Sequence, residues 1–467
     1  MDDSIVTDDS RWEMALNQYQ NVIASGDEAL QAKATLKLAL LAKYAPLHLL
    51  PHTIPILAKL LSFPGEENDS LPVSVEEAAA YCLRCISCLG DGSLAVRIGQ
   101  AGVVRSILRL LPLSGDGFRM ALIKCLLCLV NFGKVNRELV FINGGLEVII
   151  DMLGSYSGRE KVYVLEILSA LALVREVRRV LSSLGGVKFL VEAVSLGSMV
   201  SRERACQAVG LLGVTRRGRS MLVELGVIPA LVDLFRDGDA TAKLVAGNSL
   251  GVISAHVDFI RPVAQAGAIP LYAELLQGPD PTGKEIAEDV FCILAVAEEN
   301  FVSIAEHLVR ILREGDDEAK IAASDVLWDL SGYKRSVSVI RNLGAIPILV
   351  QLLRHENGEV REKVSGAIAQ LSYDECNREA LADVGAVAIL IELLDDDLED
   401  LRDNAAEALL NFSEDPFHRD LISEAVDVPS FESMQDRLTQ LRASDEYMVR
   451  SLRRMSIEHL TWNSGPV

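Results

Sequence analysis

The positions of the apolar residues predict a chain built from amphipathic helices. In stretches such as 343–353, apolar residues fall three and four positions apart, which places them on one face of a helix. A second kind of stretch, for example 361–372 and 402–413, precedes the first kind and is rich in small residues that let helices pack closely. Together the two patterns indicate an all-α protein.

The first pattern recurs about every 41 residues. Each copy starts near a glycine that ends the preceding helix, and several copies continue with a proline that suits a first helical turn. The aligned glycines are Gly102, Gly145, Gly186, Gly226, Gly267, Gly344 and Gly385. Ser303 takes the glycine position inside the one gap of 77 residues and divides it into steps of 36 and 41, which predicts one shortened repeat. His52 takes the position at the front, and 63–70 is predicted to be an inserted loop.

A helical repeat of this length cannot bury its own apolar face, so neighbouring copies must stack into a continuous core. The sequence therefore predicts an α-solenoid of about nine to ten repeats over residues 20–429. We expect an acidic tail over 1–19, and a cap with a partly disordered tail over 430–467, where polar and charged residues predominate.

These copies resemble the armadillo repeat family, in which an Ala-rich helix ending Leu-x-Asn-Leu-Ser precedes a Gly-Ala-Ile-Pro-x-Leu-Val-x-Leu-Leu helix. The resemblance covers roughly residues 20–425 and implies a right-handed superhelix. The segment 36–43 is also similar to the first repeat of plant U-box ligases that carry armadillo arrays, although the U-box itself is not found in this sequence.

The resemblance also implies a binding groove, because the last helix of each armadillo repeat lines a concave surface that holds an extended peptide. The residues that align with this surface are Tyr81, Lys124, Glu166, Gln207, Asn248, Asp289, Asp325, Asp329, Gln370, Glu407 and Asn411. The nuclear-import receptors of the family carry Trp-x-x-x-Asn there, and none of the corresponding Trp positions holds Trp in this chain. An import-receptor function is therefore not predicted.

Four of the aligned residues form an acidic run: Asp289, Asp325, Asp329 and Glu407. The run is either an ordinary solvated face or a surface that attracts a basic segment of a partner. The acidic run lies in the more negative half of the chain. Residues 1–230 have a net charge of +1 and residues 231–467 one of −22, which together make the total of −21. Such a balance argues against nucleic-acid binding, which requires a basic face.

The N-terminal residues, the apolar stretches and the cysteines bear on the cellular location. Residues 1–10 carry four acids and no base, unlike a signal or transit peptide. The longest apolar stretches are too short to span a bilayer, and neither terminus shows a basic or lipidated anchor. We expect a soluble protein of the cytoplasm, the nucleus or both, with its eight cysteines reduced.

Two motifs suggest chemistry. Cys82, Cys85 and Cys88, followed by Cys125 and Cys128, give the CxxC spacing of a zinc site, but cysteines three apart on a helix also serve as small apolar core residues. The sequence 247–251 matches the GxSxG of a serine hydrolase, yet it lies inside a predicted helix with no strand before it. We predict no enzyme activity, no metal and no cofactor.

The sequence thus predicts a non-enzymatic scaffold or adaptor that binds another protein. The alternative is a substrate adaptor in protein ubiquitination, which follows from the similarity to plant U-box ligases. Both interpretations leave the partner and the oligomeric state open.

Overall fold

The computed structural model describes residues 3–62, 73–332 and 336–413, with the single positions 418 and 422. Within these ranges all regular structure is helical, and no described residue lies in a β-strand. Within each of the two units described next, neighbouring helices stack on one another, and the predicted all-α solenoid fold is confirmed. None of the described helices combines the length and the apolar character needed to cross a lipid bilayer.

The chain divides into two compact units. The first unit comprises the residues up to Leu212 with Ser220–Ala230, and the second comprises Gly213–Arg219 with the residues from Leu231 onward. Helices α13 (Met199–Gly213), α14 (Arg216–Glu224) and α15 (Val227–Asp237) contain the points of division.

The other helices of the first unit begin and end as follows: α1 Asp3–Ala24, α2 Glu28–Leu41, α3 Ile54–Ser62, α4 Val75–Ser87, α5 Ser93–Gln100, α6 Val103–Leu110, α7 Asp116–Phe132, α8 Lys134–Ile142, α9 Gly145–Ser155, α10 Gly158–Leu171, α11 Arg175–Leu181 and α12 Val187–Ser195.

Those of the second unit are α16 Ala240–Ser254, α17 Val257–Gln265, α18 Ala268–Leu276, α19 Pro281–Leu294, α20 Glu298–Glu314, α21 Asp317–Ser331, α22 Ser336–Asn342, α23 Ala345–Leu352, α24 Gly358–Leu371, α25 Glu375–Asp383, α26 Ala386–Leu393 and α27 Glu399–Ser413.

Most repeats consist of two short helices followed by one long helix. Examples are α8–α9–α10 in the first unit and α22–α23–α24 in the second. The long helices lie side by side: α4, α7 and α10 are in contact in succession, and so are α16, α19, α21, α24 and α27. Each unit therefore presents one layer made only of long helices.

A left-handed glycine separates the two short helices. The backbone φ is +87° at Gly102, +91° at Gly267, +72° at Gly344 and +79° at Gly385, values that other residues adopt only at a cost. At the two Gly-Gly pairs the first glycine, Gly144 or Gly185, has the positive φ. At these two pairs the residue with the positive φ therefore lies one position before the aligned Gly145 and Gly186.

The shortened repeat lacks this turn. Ser303 stands where other repeats have the glycine, and α20 runs unbroken for 17 residues through the position where two short helices would meet. Without a residue that accepts a positive φ the helix simply continues. This continuity accounts for the predicted step of 36 residues.

Polar side chains satisfy the backbone groups at the ends of the long helices. Asp239 and Asp316 accept hydrogen bonds from the first-turn amides of α16 and α21. At the other end, an arginine from the next short helix donates to a terminal carbonyl: Arg137 to Val130 O, Arg178 to Ala172 O and Arg378 to Ser372 O. The same device recurs in both units.

Close packing explains the GxSxG sequence at 247–251, which lies within α16 as predicted. A side chain at Gly251 would come within 2.7 Å of Val290, and one at Gly247 within 3.3 Å of the Phe235 ring. The Tyr272 hydroxyl donates to Gly247 O at 2.7 Å. These glycines therefore serve helix packing, and no strand-to-helix turn exposes Ser249, which is buried.

At the N-terminus, α1 is continuous across the predicted domain boundary at residue 19. Tyr19 is buried and its hydroxyl lies 3.1 Å from Thr35 Oγ1 of α2. Residues 3–19 are thus part of α1, and the C-terminal end of α1 packs on α2. The predicted loop at 63–70 and the cap and tail at 430–467 lie outside the described residues.

Candidate functional site

Every aligned groove residue lies on a long helix. In the first unit Tyr81 is on α4, Lys124 on α7, Glu166 on α10 and Gln207 on α13. The residues of the second unit are Asn248 on α16, Asp289 on α19, Asp325 and Asp329 on α21, Gln370 on α24, and Glu407 and Asn411 on α27. All except Asn411 have exposed or partly exposed side chains. The aligned positions therefore give each unit a row of accessible side chains on its layer of long helices.

Asn411 does not line the accessible surface as predicted. Its side chain is only 2% exposed, and its Nδ2 donates to Ser372 Oγ at 2.8 Å on the neighbouring repeat. Buried polar groups need such partners, so Asn411 joins α27 to the end of α24. It is not available to bind a peptide.

We call Glu288, Asp289, Asp325, Asp329 and Glu407 the acidic face. Glu288 is half-buried, and burial together with the nearby negative charges of Asp325 and Asp289 raises its pKa to about 7. The negative charges of Asp289 and Asp325 thus oppose the ionisation of Glu288. A cationic group on this face would relieve that repulsion.

One cation already lies here. Lys363 of α24 places its Nζ 2.9 Å from Asp325 Oδ1 of α21 and 5.7 Å from the centre of the Trp328 ring. Burial lowers the pKa of Lys363, but the hydrogen bond and negative charge of Asp325 outweigh burial and leave the pKa raised. A carboxylate beside an aromatic ring is an arrangement that holds basic side chains well.

Two further contacts extend the acidic face along the neighbouring helices. The Cys292 thiol of α19 lies 4.0 Å from Asp329 Oδ2 on α21. The Tyr373 hydroxyl, at the end of α24, donates to Glu407 Oε1 at 2.6 Å. The side chains of α19, α21, α24 and α27 therefore meet in a chain of contacts across four adjacent helices.

The first unit has different chemistry at the equivalent positions. We call Tyr81, Lys124, Glu166 and Gln207 the mixed face. The ammonium of Lys124 lies 5.3 Å from the centre of the Tyr163 ring, and Glu166 Oε1 accepts a hydrogen bond from the backbone amide of Ser198 at 2.6 Å. Here charges of both signs are engaged with groups of the chain itself.

Five cysteines lie on or directly after α4 and α7, the helices that carry Tyr81 and Lys124. Cys82 and Cys125 are buried, as expected for core residues, whereas Cys88 is exposed and its sulfur lies 3.5 Å from that of Cys128. The CxxC spacing did not indicate which cysteines of the two helices would meet, and the structure places Cys88 against Cys128. Among the described residues no group of three or more His, Cys, Asp or Glu side chains is arranged to hold a metal ion.

Sequence reasoning missed Glu288, Lys363, Trp328 and Tyr373. Glu288 and Trp328 are adjacent in sequence to aligned residues, whereas Tyr373 lies about one turn after Gln370 and Lys363 about two turns before it. Each meets a residue from another repeat. The alignment followed only one or two positions on each helix, so finding them would have required a search along the whole accessible side of each long helix.

Comparison with known proteins agrees with the fold. A family model described as HEAT repeats matches residues 305–411. The crystal structure of an engineered protein, 22% identical, covers 85% of this chain and 98% of its own with a TM-score of 0.63. Two other engineered proteins, also 22% identical, match about half of this chain with TM-scores of 0.39 and 0.40. No curated protein matches the sequence. The chain is similar to helical repeat proteins, and this likeness concerns the fold alone.

Proposed function

We propose that this protein is a non-enzymatic scaffold of the armadillo type that binds a basic segment of a partner protein on the acidic face. A helical repeat solenoid is an architecture typical of protein-interaction scaffolds. The binding of a basic segment is a further step, and it depends on the side chains of the second unit.

The arrangement of helices supports the armadillo type. Armadillo repeats hold three helices and HEAT repeats two, at similar repeat lengths. Two short helices and one long helix recur in α17–α18–α19, α22–α23–α24 and α25–α26–α27. Where α20 replaces the two short helices, the repeat has only two helices, and this repeat lies at the start of the segment that the HEAT model matches.

The observation that carries the proposal is the position of Lys363. Its ammonium is held between Asp325 and Trp328 on a face where Glu288, Asp289, Asp325 and Asp329 outnumber it. The face therefore accommodates a basic side chain and retains excess negative charge for others. Electrostatic complementarity of this kind speeds association and improves specificity.

We further propose a location in the cytoplasm, the nucleus or both. A role as a substrate adaptor in ubiquitination stays a prediction from the similarity to plant U-box ligases. It would be supported if a ubiquitin ligase bound directly to the purified chain.

The test is direct binding of a fluorescent arginine- and lysine-rich peptide, measured by anisotropy in about 50 mM salt, where screening is weak. The variant is Asp325→Asn, Asp329→Asn and Glu407→Gln combined, which removes charge and keeps shape. We expect its Kd to rise at least about 10-fold.

The control variant removes the same charge elsewhere in the second unit. Asp233, Asp258 and Glu392 are exposed and lie on short helices, so Asp233→Asn, Asp258→Asn and Glu392→Gln should change Kd less than about 3-fold. Equal weakening in both variants would mean that only total charge matters, and the acidic face would not be the site. Circular dichroism of each variant checks the fold.

A further inference from the structure

Two thiols from neighbouring repeats lie together on the surface of the first unit. Cys88 is the residue directly after α4, and Cys128 lies within α7, 40 residues further along. Their sulfurs are 3.5 Å apart, Cys88 is exposed and Cys128 is partly exposed. Reagents in solution can therefore reach a pair of thiols that are already in contact.

The other cysteines of α4 and α7 are more buried than Cys88 and less reactive. Cys82 and Cys125 are fully buried, and burial raises the pKa of both, that of Cys125 to about 12. Burial also raises the pKa of Cys85. These thiols stay protonated and unreactive near neutral pH, because the thiolate is the reactive form.

Cys88 differs from them. When it loses its proton, the Cys128 thiol can donate to the resulting thiolate, and this hydrogen bond lowers the pKa of Cys88 to about 6. The positive charge of Arg84 acts in the same direction. The same hydrogen bond raises the pKa of Cys128. One thiol of the pair is thus prepared to react and the other retains its proton.

We propose that Cys88 and Cys128 form a peroxide-reactive dithiol, which closes into a reversible disulfide between two adjacent long-helix repeats. Nothing in the scaffold function requires these two cysteines, so the inference is independent of the acidic face. The ligand class is a small hydroperoxide, with hydrogen peroxide as the simplest member.

The reaction has two steps. The Cys88 thiolate attacks one peroxide oxygen, the O–O bond breaks, and the departing hydroxide takes a proton to become water, which leaves Cys88 as a sulfenic acid. The Cys128 sulfur then attacks the Cys88 sulfur, the S–O bond breaks, and the hydroxide leaves as a second water with the Cys128 proton. The two sulfurs lose two electrons in total, and the peroxide gains them.

The position of Cys88 at the end of α4 favours this closure. The sulfurs must approach from 3.5 Å to about 2.05 Å. Because Cys88 lies beyond the last residue of α4, it can move without breaking the helix, while Cys128 stays fixed inside α7. The disulfide would join α4 and α7 beside Tyr81 and Lys124 of the mixed face.

The test treats the reduced full chain with hydrogen peroxide, blocks the remaining thiols by alkylation, and maps tryptic peptides by mass spectrometry. The peptides 85–97 and 125–134 each hold two cysteines, so variants assign the bond. We expect these peptides to be cross-linked in the wild type and in Cys85→Ser, and separate in Cys88→Ser and Cys128→Ser. Dithiothreitol should reverse the cross-link.

A second measurement follows the first step alone. In Cys128→Ser the serine hydroxyl can still donate to the Cys88 thiolate, but the sulfenic acid at Cys88 has no thiol to close on, so dimedone should label Cys88. Cys376 is the control, because it is exposed and lies on α25 of the second unit. We expect labelling at Cys88 at least about 10-fold faster than at Cys376.

Three results would overturn the proposal: a cross-link that persists in Cys88→Ser, oxidation of Cys88 to the sulfinic acid without any cross-link in the wild type, or equal labelling of Cys88 and Cys376. Circular dichroism shows that each variant is folded, so that loss of the cross-link reports on the missing sulfur.

Discussion

The acidic face and the mixed face occupy equivalent positions on long helices of the same repeat type. In the second unit these positions include Asp289, Asp325 and Glu407, whereas in the first they hold Tyr81, Lys124, Glu166 and Gln207. The helices beneath them are held by the same devices, such as an arginine that donates to the end of a long helix at Val130 and at Ser372.

The difference shows how a repeat protein separates fold from function. Buried small and apolar residues set the stacking of the helices and cannot vary freely, because interiors are close-packed. The accessible positions bear no such constraint, so one unit has become acidic while the other carries both signs. The following predictions test this separation, beginning with the largest expected effect.

Charge reversal on the acidic face should nearly abolish peptide binding. We expect Asp289→Lys, Asp325→Lys and Asp329→Lys combined to weaken binding of a basic peptide at least about 100-fold, since like charges placed together cost several kcal/mol. The matched variant on the mixed face, Glu166→Lys with Gln207→Lys, should change Kd only a few-fold. Anisotropy titration measures both, and a similar loss in the two variants would remove the distinction between the faces.

Filling a buried glycine should damage the structure under the acidic face and leave its charges unchanged. A side chain at Gly366 would come within 2.5–2.7 Å of the Trp328 ring, so Gly366→Ala should lower the free energy of unfolding by about 1–3 kcal/mol. A side chain at Gly154 of α9 would meet no neighbouring atom within 4 Å outside its own helix turn, so Gly154→Ala should be neutral or stabilising by up to about 1 kcal/mol. Urea denaturation distinguishes them. Equal effects would mean that crowding does not set the stacking of these repeats.

Substitutions at the turn between the short helices should change stability through backbone conformation alone. Gly267 has a φ of +91° and open space around it, so Gly267→Ala should cost about 1 kcal/mol. Ser303→Gly, at the same position of the unbroken α20, should also destabilise, by about 0.5 kcal/mol, because glycine weakens a helix interior. Thermal unfolding measures both changes. Stabilisation by Ser303→Gly would show that α20 is held against a local preference for the turn.

Ionisation of Glu288 should have the smallest effect on stability and on peptide affinity. Glu288 has a pKa near 7 in the folded chain against an ordinary value of 4.5, so between these values the folded state binds more protons than the unfolded state. Stability from this group therefore falls as pH rises through that window. A basic peptide favours the ionised form, so its affinity should rise a few-fold from about pH 5.5 to about pH 8.

The matched variants are Glu288→Gln and Glu392→Gln. Glu288→Gln should flatten the rise of affinity with pH and should be more stable than the wild type at about pH 8. Glu392, on the short helix α26, lies outside the acidic face, so its variant should behave as the wild type does. Peptide titrations at both pH values provide the measurement. An unchanged pH dependence in Glu288→Gln would assign the effect to another group.

Much of this molecule follows from the sequence because its repeats are local. Apolar spacing sets each helix, a glycine with positive φ ends it, and the recurrence of both over about 41 residues predicts stacking and therefore an all-α solenoid. The resemblance to armadillo repeats then gave eleven candidate groove residues on these long helices. Ten of them are exposed or partly exposed, and Asn411 is buried.

Only the tertiary structure decided which side chains meet across repeats. Lys363 reaches Asp325, Cys88 rather than Cys85 lies against Cys128, and Asn411 turns inward to Ser372. One residue along a helix rotates a side chain by about 100°, so a small shift between neighbouring helices changes every partner. The sequence by itself determined the helices and their repeat, whereas the packing angle and offset of those helices determined the charges and thiols that lie together.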